Sequence, residues 1–246
     1  MDLAFVKHIV IGFDEPRYYI GLVATVVGFL VLSQIFKRLS GRSQNLTLKI
    51  FGGLCLALMA MNQAFFALSP EHGWDINVVL PLHLCSLSYL LVGLNCFLKS
   101  KWLWEITLFL GVVGGIHSML TPELTNGDGW YFLSFYYFKH GVILFIPILQ
   151  YQIWKYTLDK RSWLRVFIYT NIYMVFTLFV NWGLNHFFPE GNPANYFYTW
   201  EPPSANNPLI QGDWPWYLIL GDVLLIVHLV LIQLAFKLLT RKKKAL

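Results

Sequence analysis

The chain predicts an all-α bundle of seven transmembrane helices, and three observations predict it. Hydrophobic residues make up 57% of the 246 positions and charged residues only 13%, with mean hydropathy +0.54. Soluble domains carry about a quarter charged residues. The apolar residues come in long runs and do not alternate, which excludes a membrane β-barrel. Lysine and arginine gather in alternate connections between the runs. Together these features exclude a disordered, a collagen-like or a disulfide-framework chain, and they argue against a soluble enzyme.

A spanning helix needs about 20 mostly apolar residues. Residues 18–36, 46–69, 77–98, 102–121, 131–156, 163–187 and 215–239 meet that length, and residues 1–246 read as one domain. The first span follows Asp14-Glu15-Pro16, and residues 1–17 show no ordered signal-peptide regions. Ser40-Gly41-Arg42-Ser43 separates spans 1 and 2, and Ser69-Pro70-Glu71-His72-Gly73 separates spans 2 and 3. Span 3 contains Pro81 near its start. Span 4 carries Gly111 and Gly115 at small-xxx-small spacing, with Gly114 between, a pattern that lets a helix approach its neighbour closely. Thr125-Asn126-Gly127-Asp128-Gly129 precedes span 5, and the Pro- and Asn-rich stretch 189–213 precedes span 7. Tyr18, Tyr19, Trp102, Trp104, Trp130, Tyr131, Trp163, Trp214, Trp216 and Tyr217 fall at the span ends, as interfacial aromatic belts do.

Orientation follows from the basic residues. The connections after spans 1, 3 and 5 and the tail after span 7 hold 15 of 18 Lys and Arg, and ten of 13 acidic residues fall on the other side. The expectation is an outside N-terminus and a cytoplasmic C-terminus in a bacterial cytoplasmic membrane. The net charge of +5 is thereby a topology signal, so no nucleic-acid partner is expected; the tail 241–244 is placed to meet anionic lipid. Cys55, Cys85 and Cys96 all lie in apolar runs, so no disulfide framework is expected.

Polar side chains inside spans are costly and need a partner or a function. At about 1.5 Å of rise per residue, Asn62, Gln63, His83, His117, His140, Asn181, Asn185 and Asp222 lie roughly 3–14 Å below the outer surface. They come from six helices running in both directions, which predicts one polar cavity in the outer half of the bundle. Each asparagine and glutamine is equally suited to interhelical hydrogen bonding. His228 reads as deep, solitary and structural. Asp222 reads as the only carboxylate well inside a span, with Lys139 or His140 as its partner, although Lys139 could instead snorkel to the outer interface.

Several chemistries fit such a cavity. Acyl transfer needs a thiol near a base. Cys85 lies at the right depth, with His140, His117 or His83 available. Positions 83 and 85 of one helix, however, point about 200° apart, which would keep His83 and Cys85 from sharing a face. His83, His117, His140 and Asp222 could form a zinc shell for a lipid hydrolase, but no paired-ligand spacing supports it, so neither metal nor cofactor is expected. A small-molecule transporter or non-catalytic membrane protein remains open, although no inverted repeats are visible.

Specific strings narrow this. Leu80-Pro81-Leu82-His83-Leu84-Cys85, Thr121-Pro122-Glu123-Leu124, Tyr137-Phe138-Lys139-His140-Gly141-Val142 and the stretch from Gly191-Asn192-Pro193-Ala194-Asn195-Tyr196 to Trp214-Pro215-Trp216-Tyr217 occur in order. In these the chain resembles the bacterial YwaF-type integral membrane proteins of the transmembrane protein 164 family. The resemblance implies a seven-helix membrane fold and a phospholipid acyltransferase acting on membrane lipids. It implies His140 as general base and Cys85 as acyl acceptor; the shared depth of the histidines adds His83 and His117 as groups expected to orient or polarise the ester carbonyl. Asn62, Asn181, Asn185, Asn195, Tyr196 and Asp222 are the expected substrate-binding residues. Direct deprotonation of an acceptor hydroxyl by His140, without a covalent intermediate, is the other route open to such a site.

Overall fold

The computed structural model describes residues 9–69, 74–124, 127–203 and 212–242. The first eight residues, the turn residues 70–73, 125 and 126, the loop residues 204–211 and the tail lysines Lys243 and Lys244 lie outside the described residues. Among the described residues seven α-helices follow one another: α1 (Pro16–Arg38), α2 (Gly41–Leu68), α3 (Leu84–Leu98), α4 (Lys101–Leu120), α5 (Trp130–Trp154), α6 (Ser162–Phe187) and α7 (Trp216–Lys242). Two-residue strands β1 (Ile9–Val10) and β2 (Glu123–Leu124) pair antiparallel, with Ile9 opposite Leu124. A 3-10 turn covers Tyr196–Tyr198.

Helix ends follow local chemistry. Pro16 starts α1 where its missing N–H costs nothing. Ser40 and Ser100 cap α2 and α4 by accepting hydrogen bonds from the N–H groups of Ser43 and Leu103. Lys99 and Lys155 close α3 and α5 in the left-handed conformation, with φ of 51° and 57°.

Six helices are long and apolar enough to cross a membrane; α3, at 15 residues, is shorter. The sequence places the start of the third span at residue 77, and the structure delays it to Leu84. Backbone groups of residues 78–82 are satisfied by partners other than a helix. Val78 and Val79 N–H donate to the Asp75 carbonyl, Leu80 N–H donates to the Tyr196 hydroxyl, and the Val79 and Leu82 carbonyls accept from Gln63 and Tyr173. One i to i−4 bond, from Val79 to Asp75, forms there, but the other groups are taken by a tighter turn and by distant side chains, so a helix does not propagate.

Helices α4 and α5 form the most extensive pair and sit centrally. Pro147 leaves the Ile143 carbonyl without its usual N–H. Gly111 presents its bare Cα to that same carbonyl, where a Cβ would stand 1.9 Å from the oxygen. Gly115 meets Leu144 and the His140 carbonyl in the same way. The small-residue spacing is therefore the α4–α5 contact. Cys55 and Cys96 are buried packing residues beside Leu48, Tyr89, Val92 and Ile143.

Outward-facing Val23, Leu30, Phe179, Val223 and Leu231 give the bundle an apolar exterior. Tyr19, Trp102, Trp130, Tyr131, Trp214 and Trp216 are exposed, whereas Trp104 is fully buried and donates its indole N–H to the Pro147 carbonyl at 2.9 Å. Trp104 thus belongs to the core, and Tyr18 and Tyr217 are buried as well. At the end carrying the α3–α4 and α5–α6 connections, Glu105 is 2% exposed and accepts from Arg165 at 2.7 Å and Ser162 at 3.0 Å. Lys101 and Asp159 complete the cluster. Asp222 is therefore not alone as a carboxylate within the helices.

Candidate functional site: a polar cavity at one end of the bundle

A cavity of about 400 Å³ opens at the end opposite the Glu105 cluster. It is lined from α2, α3, α4, α5, α6 and α7, and by β2 and the 197–198 stretch. Asn62, Gln63, His83, Cys85, His117, His140 and Asp222 all line it, so the common depth corresponds to one chamber for every polar residue of that set except Asn181 and Asn185.

His83 stands just before α3 as its N-cap, with extended backbone (φ −66°, ψ 145°). The 200° objection assumed a helix through residues 83–85. With His83 outside the helix, its ring and the Cys85 thiol line the same cavity. The imidazole rests against Tyr196 and Tyr198, ring centroids 5.4 and 5.2 Å away.

His140 is 2% exposed. Its Nδ1–H donates to the Tyr136 carbonyl at 2.7 Å, one turn back on α5. A carbonyl only accepts, so the proton is on Nδ1 and the Nε2 lone pair is left for chemistry. The Tyr136 ring lies 4.1 Å from the imidazole, centroid to centroid, and its hydroxyl donates to the Ser118 carbonyl at 2.8 Å. The Ser118 hydroxyl lies 3.6 Å from Cys85 Sγ. Tyr136 and Ser118 therefore connect His140 to the half-buried Cys85.

On the neighbouring face of α4, His117 Nε2 meets His228 Nε2 at 3.3 Å. The Nδ1–H of His228 donates to the Leu224 carbonyl at 2.7 Å. Its Nε2 therefore accepts, and His117 supplies the proton from its own Nε2. The reading of His228 as solitary does not hold. Counting depth from helix ends put it about 18 Å along α7, against about 5 Å for His117 on α4, and such counting cannot see the axial offset between two helices. Asp222 accepts from Asn171 at 3.3 Å, not from Lys139 or His140. Lys139 lines the cavity.

Four expected lining residues serve another purpose. Asn181 accepts from Tyr196 N–H at 2.9 Å and donates to the Tyr196 carbonyl and the Thr199 hydroxyl, both at 2.8 Å. Asn185, one turn on, holds both backbone groups of Ala194. Asn195 accepts from the N–H groups of Trp200 and Glu201. Tyr196 is fully buried, and its hydroxyl donates to the Ile76 carbonyl at 2.7 Å. These residues fasten the 194–201 stretch to α6 and to the segment before α3. The residues that reach the cavity are Phe197 and Tyr198, both left-handed with φ of 60° and 54°. Two consecutive non-glycine residues in that region are strained. The clamps on either side hold them there, and the Tyr198 carbonyl accepts from the Tyr217 hydroxyl at 2.8 Å. Burial pushes the Tyr198 phenol well above its ordinary pKa, so it acts as a neutral hydroxyl.

Tyr136, Ser118, Tyr198, Glu123, Lys139 and His228 were not read as site residues from the sequence. Tyr136 had a usable signal, being i−4 to His140 and on the same helical face. Tyr198 had none, since its position depends on the loop clamps. Among the described residues no group of three or more His, Cys, Asp or Glu side chains is arranged to hold a metal ion. The four-residue zinc shell considered from the sequence does not form.

Six spanning-length apolar helices around a polar chamber define a multi-pass membrane protein. The model of the TMEM164 family matches residues 13–233, and the chain belongs to that family. No curated protein and no solved structure matches the chain.

Proposed function

We propose that the cavity is an acyl-transfer site for membrane phospholipids. The observation that carries the reading is that a thiol, Cys85, and a buried imidazole with its Nε2 lone pair uncommitted, His140, line one chamber inside an apolar bundle. His140 Nε2 takes the Sγ proton as sulfur attacks an acyl ester carbonyl. The tetrahedral intermediate collapses, the C–O bond breaks, and His140 returns the proton to the leaving lysolipid oxygen. An acceptor hydroxyl then attacks the thioester, giving its proton to His140, and the thiol is restored. His83 supplies a polar contact to the ester oxygen as charge develops there, while His117, whose Nε2–H is given to His228, orients the lipid as an acceptor.

The same reading sets the orientation. The basic connections share the end that carries the Glu105 cluster, so the cavity opens toward the outer leaflet of the cytoplasmic membrane, with the N-terminus outside and the C-terminus inside. A reporter after Leu246 should report the cytoplasm and one within 189–213 the exterior; the reverse would move the site to the inner leaflet.

The function is tested with purified protein and a phospholipid carrying a labelled acyl chain. The wild type should move label to a lysolipid acceptor, and His140→Ala should not. Equal lipid profiles in both would leave the cavity as a solute-binding or transport chamber.

A further inference from the structure

The cavity contains a charge that the acyl-transfer steps do not use. Lys139 is the only Lys or Arg among the described residues that line it. It lies nine residues into α5, about 14 Å along the helix from Trp130. It makes no ion pair with any described residue. Two carboxylates share the lining, but Asp222 takes the Asn171 amide and neither Asp222 nor Glu123 is ion-paired with Lys139. An amine held among spanning helices without a direct ion pair to a described residue is costly, and such residues mark binding sites or pathways. Its neighbours are the reacting groups. His140 follows it in the chain, and Cys85 lines the same cavity.

We infer that Lys139 anchors the phosphodiester of a glycerophospholipid while that lipid's ester carbonyl lies at Cys85. The position of the carbonyl at Cys85 rests on the acyl-transfer reading; the phosphodiester anchor does not. One ammonium complements one monoanionic phosphodiester through charge-assisted hydrogen bonds. In a glycerophospholipid the phosphate and the acyl ester are separated by glycerol carbons, so a cation beside the thiol can hold the charge without occupying the position of the reacting carbonyl. A fatty acid could not be used this way, since its carboxylate is itself the carbonyl that must reach sulfur. The apolar lining from Leu84, Val113, Phe135 and Leu225 suits the adjoining chain.

The test is binding to the full-length protein in nanodiscs. The probes are lysophosphatidylcholine and a monoacylglycerol of the same chain, with inorganic phosphate as competitor. The wild type should prefer the phospholipid by about ten- to a hundredfold, the range of one charge-assisted contact. Lys139→Gln should abolish the preference while leaving monoacylglycerol binding unchanged, which also reports an intact cavity. Lys139→Arg should keep most of it. Inorganic phosphate at the same concentration should not displace the lipid; if it does, the site is one for free phosphate and the lipid assignment is wrong. Equal wild-type affinity for the two lipids, or an undiminished preference in Lys139→Gln, would overturn the anchor. Preserved Lys139-dependent binding with no acyl transfer would instead remove the acyl-transfer reading and leave the anchor standing.

Discussion

The two ends of the bundle handle buried polarity in opposite ways. At the end with the α3–α4 and α5–α6 connections, Glu105 is saturated by Arg165, Ser162 and Lys101, and Asp159 joins the same cations. Each of these four charged groups has a partner of opposite sign. At the other end His140 has one nitrogen fixed and one open, Lys139 makes no ion pair with a described residue, and Phe197 and Tyr198 are held in strained backbone. Saturated charges hold helices together; charges and lone pairs left over are what a ligand can use. The difference teaches where substitutions should affect stability and where they should affect chemistry.

The largest effect is expected at the cavity. His140→Ala should lower acyl transfer by about a thousandfold, within the range for removing a general base, while thermal unfolding in detergent hardly changes. A large fall in unfolding temperature would mean that His140 belongs with the saturated groups. Next comes the central helix contact. A Cβ on Gly111 would collide with the Ile143 backbone, so Gly111→Ala should destabilise the bundle by about 3 kcal/mol or prevent folding; unfolding at the wild-type temperature would contradict the close α4–α5 approach.

Smaller effects lie at the saturated end. Arg165→Ala removes the main partner of buried Glu105. Breaking a fully buried pair costs about 3–5 kcal/mol, and because the Arg165 side chain is 38% exposed the cost here should be about 2 kcal/mol. Acyl transfer, measured below the unfolding temperature, should be unchanged. The smallest effect is set by pH. Hydrogen bonds from Lys101, then Arg165, hold the Asp159 carboxyl below its ordinary pKa. A depressed carboxylate stabilises the fold above its unfolded pKa, and that contribution is lost as pH falls through the folded value. Stability attributable to Asp159 should be flat from pH 5 to 8 and decline below about 4. Asp159 is 52% exposed, so Asp159→Asn should cost no more than about 1 kcal/mol at pH 7. A decline near pH 6 would assign the titration to another group.

Much of the fold was legible in the sequence because lipid imposes length. Runs of about 20 apolar residues located six helices directly. The third helix was overextended because the segment before it is apolar, yet its backbone is bonded by Gln63, Tyr173 and Tyr196 from distant parts of the chain. Depth along helices gathered His83, His117, His140, Asn62 and Asp222 correctly, since a polar group in any span must find the same chamber. Depth alone cannot give rotation or axial offset. It therefore counted Asn181 and Asn185 as lining when they clamp the loop, and set His228 aside when it meets His117.

Intact-protein mass spectrometry tests the central claim most directly. The wild type and the Cys85→Ser and His140→Ala variants are incubated with a phospholipid of defined acyl chain, without acceptor. The expected result is a mass gain of one acyl group on the wild type that hydroxylamine removes, no hydroxylamine-labile gain on Cys85→Ser, and a much slower gain on His140→Ala. Acyl transfer to an added lysolipid by Cys85→Ser at the wild-type rate would contradict it.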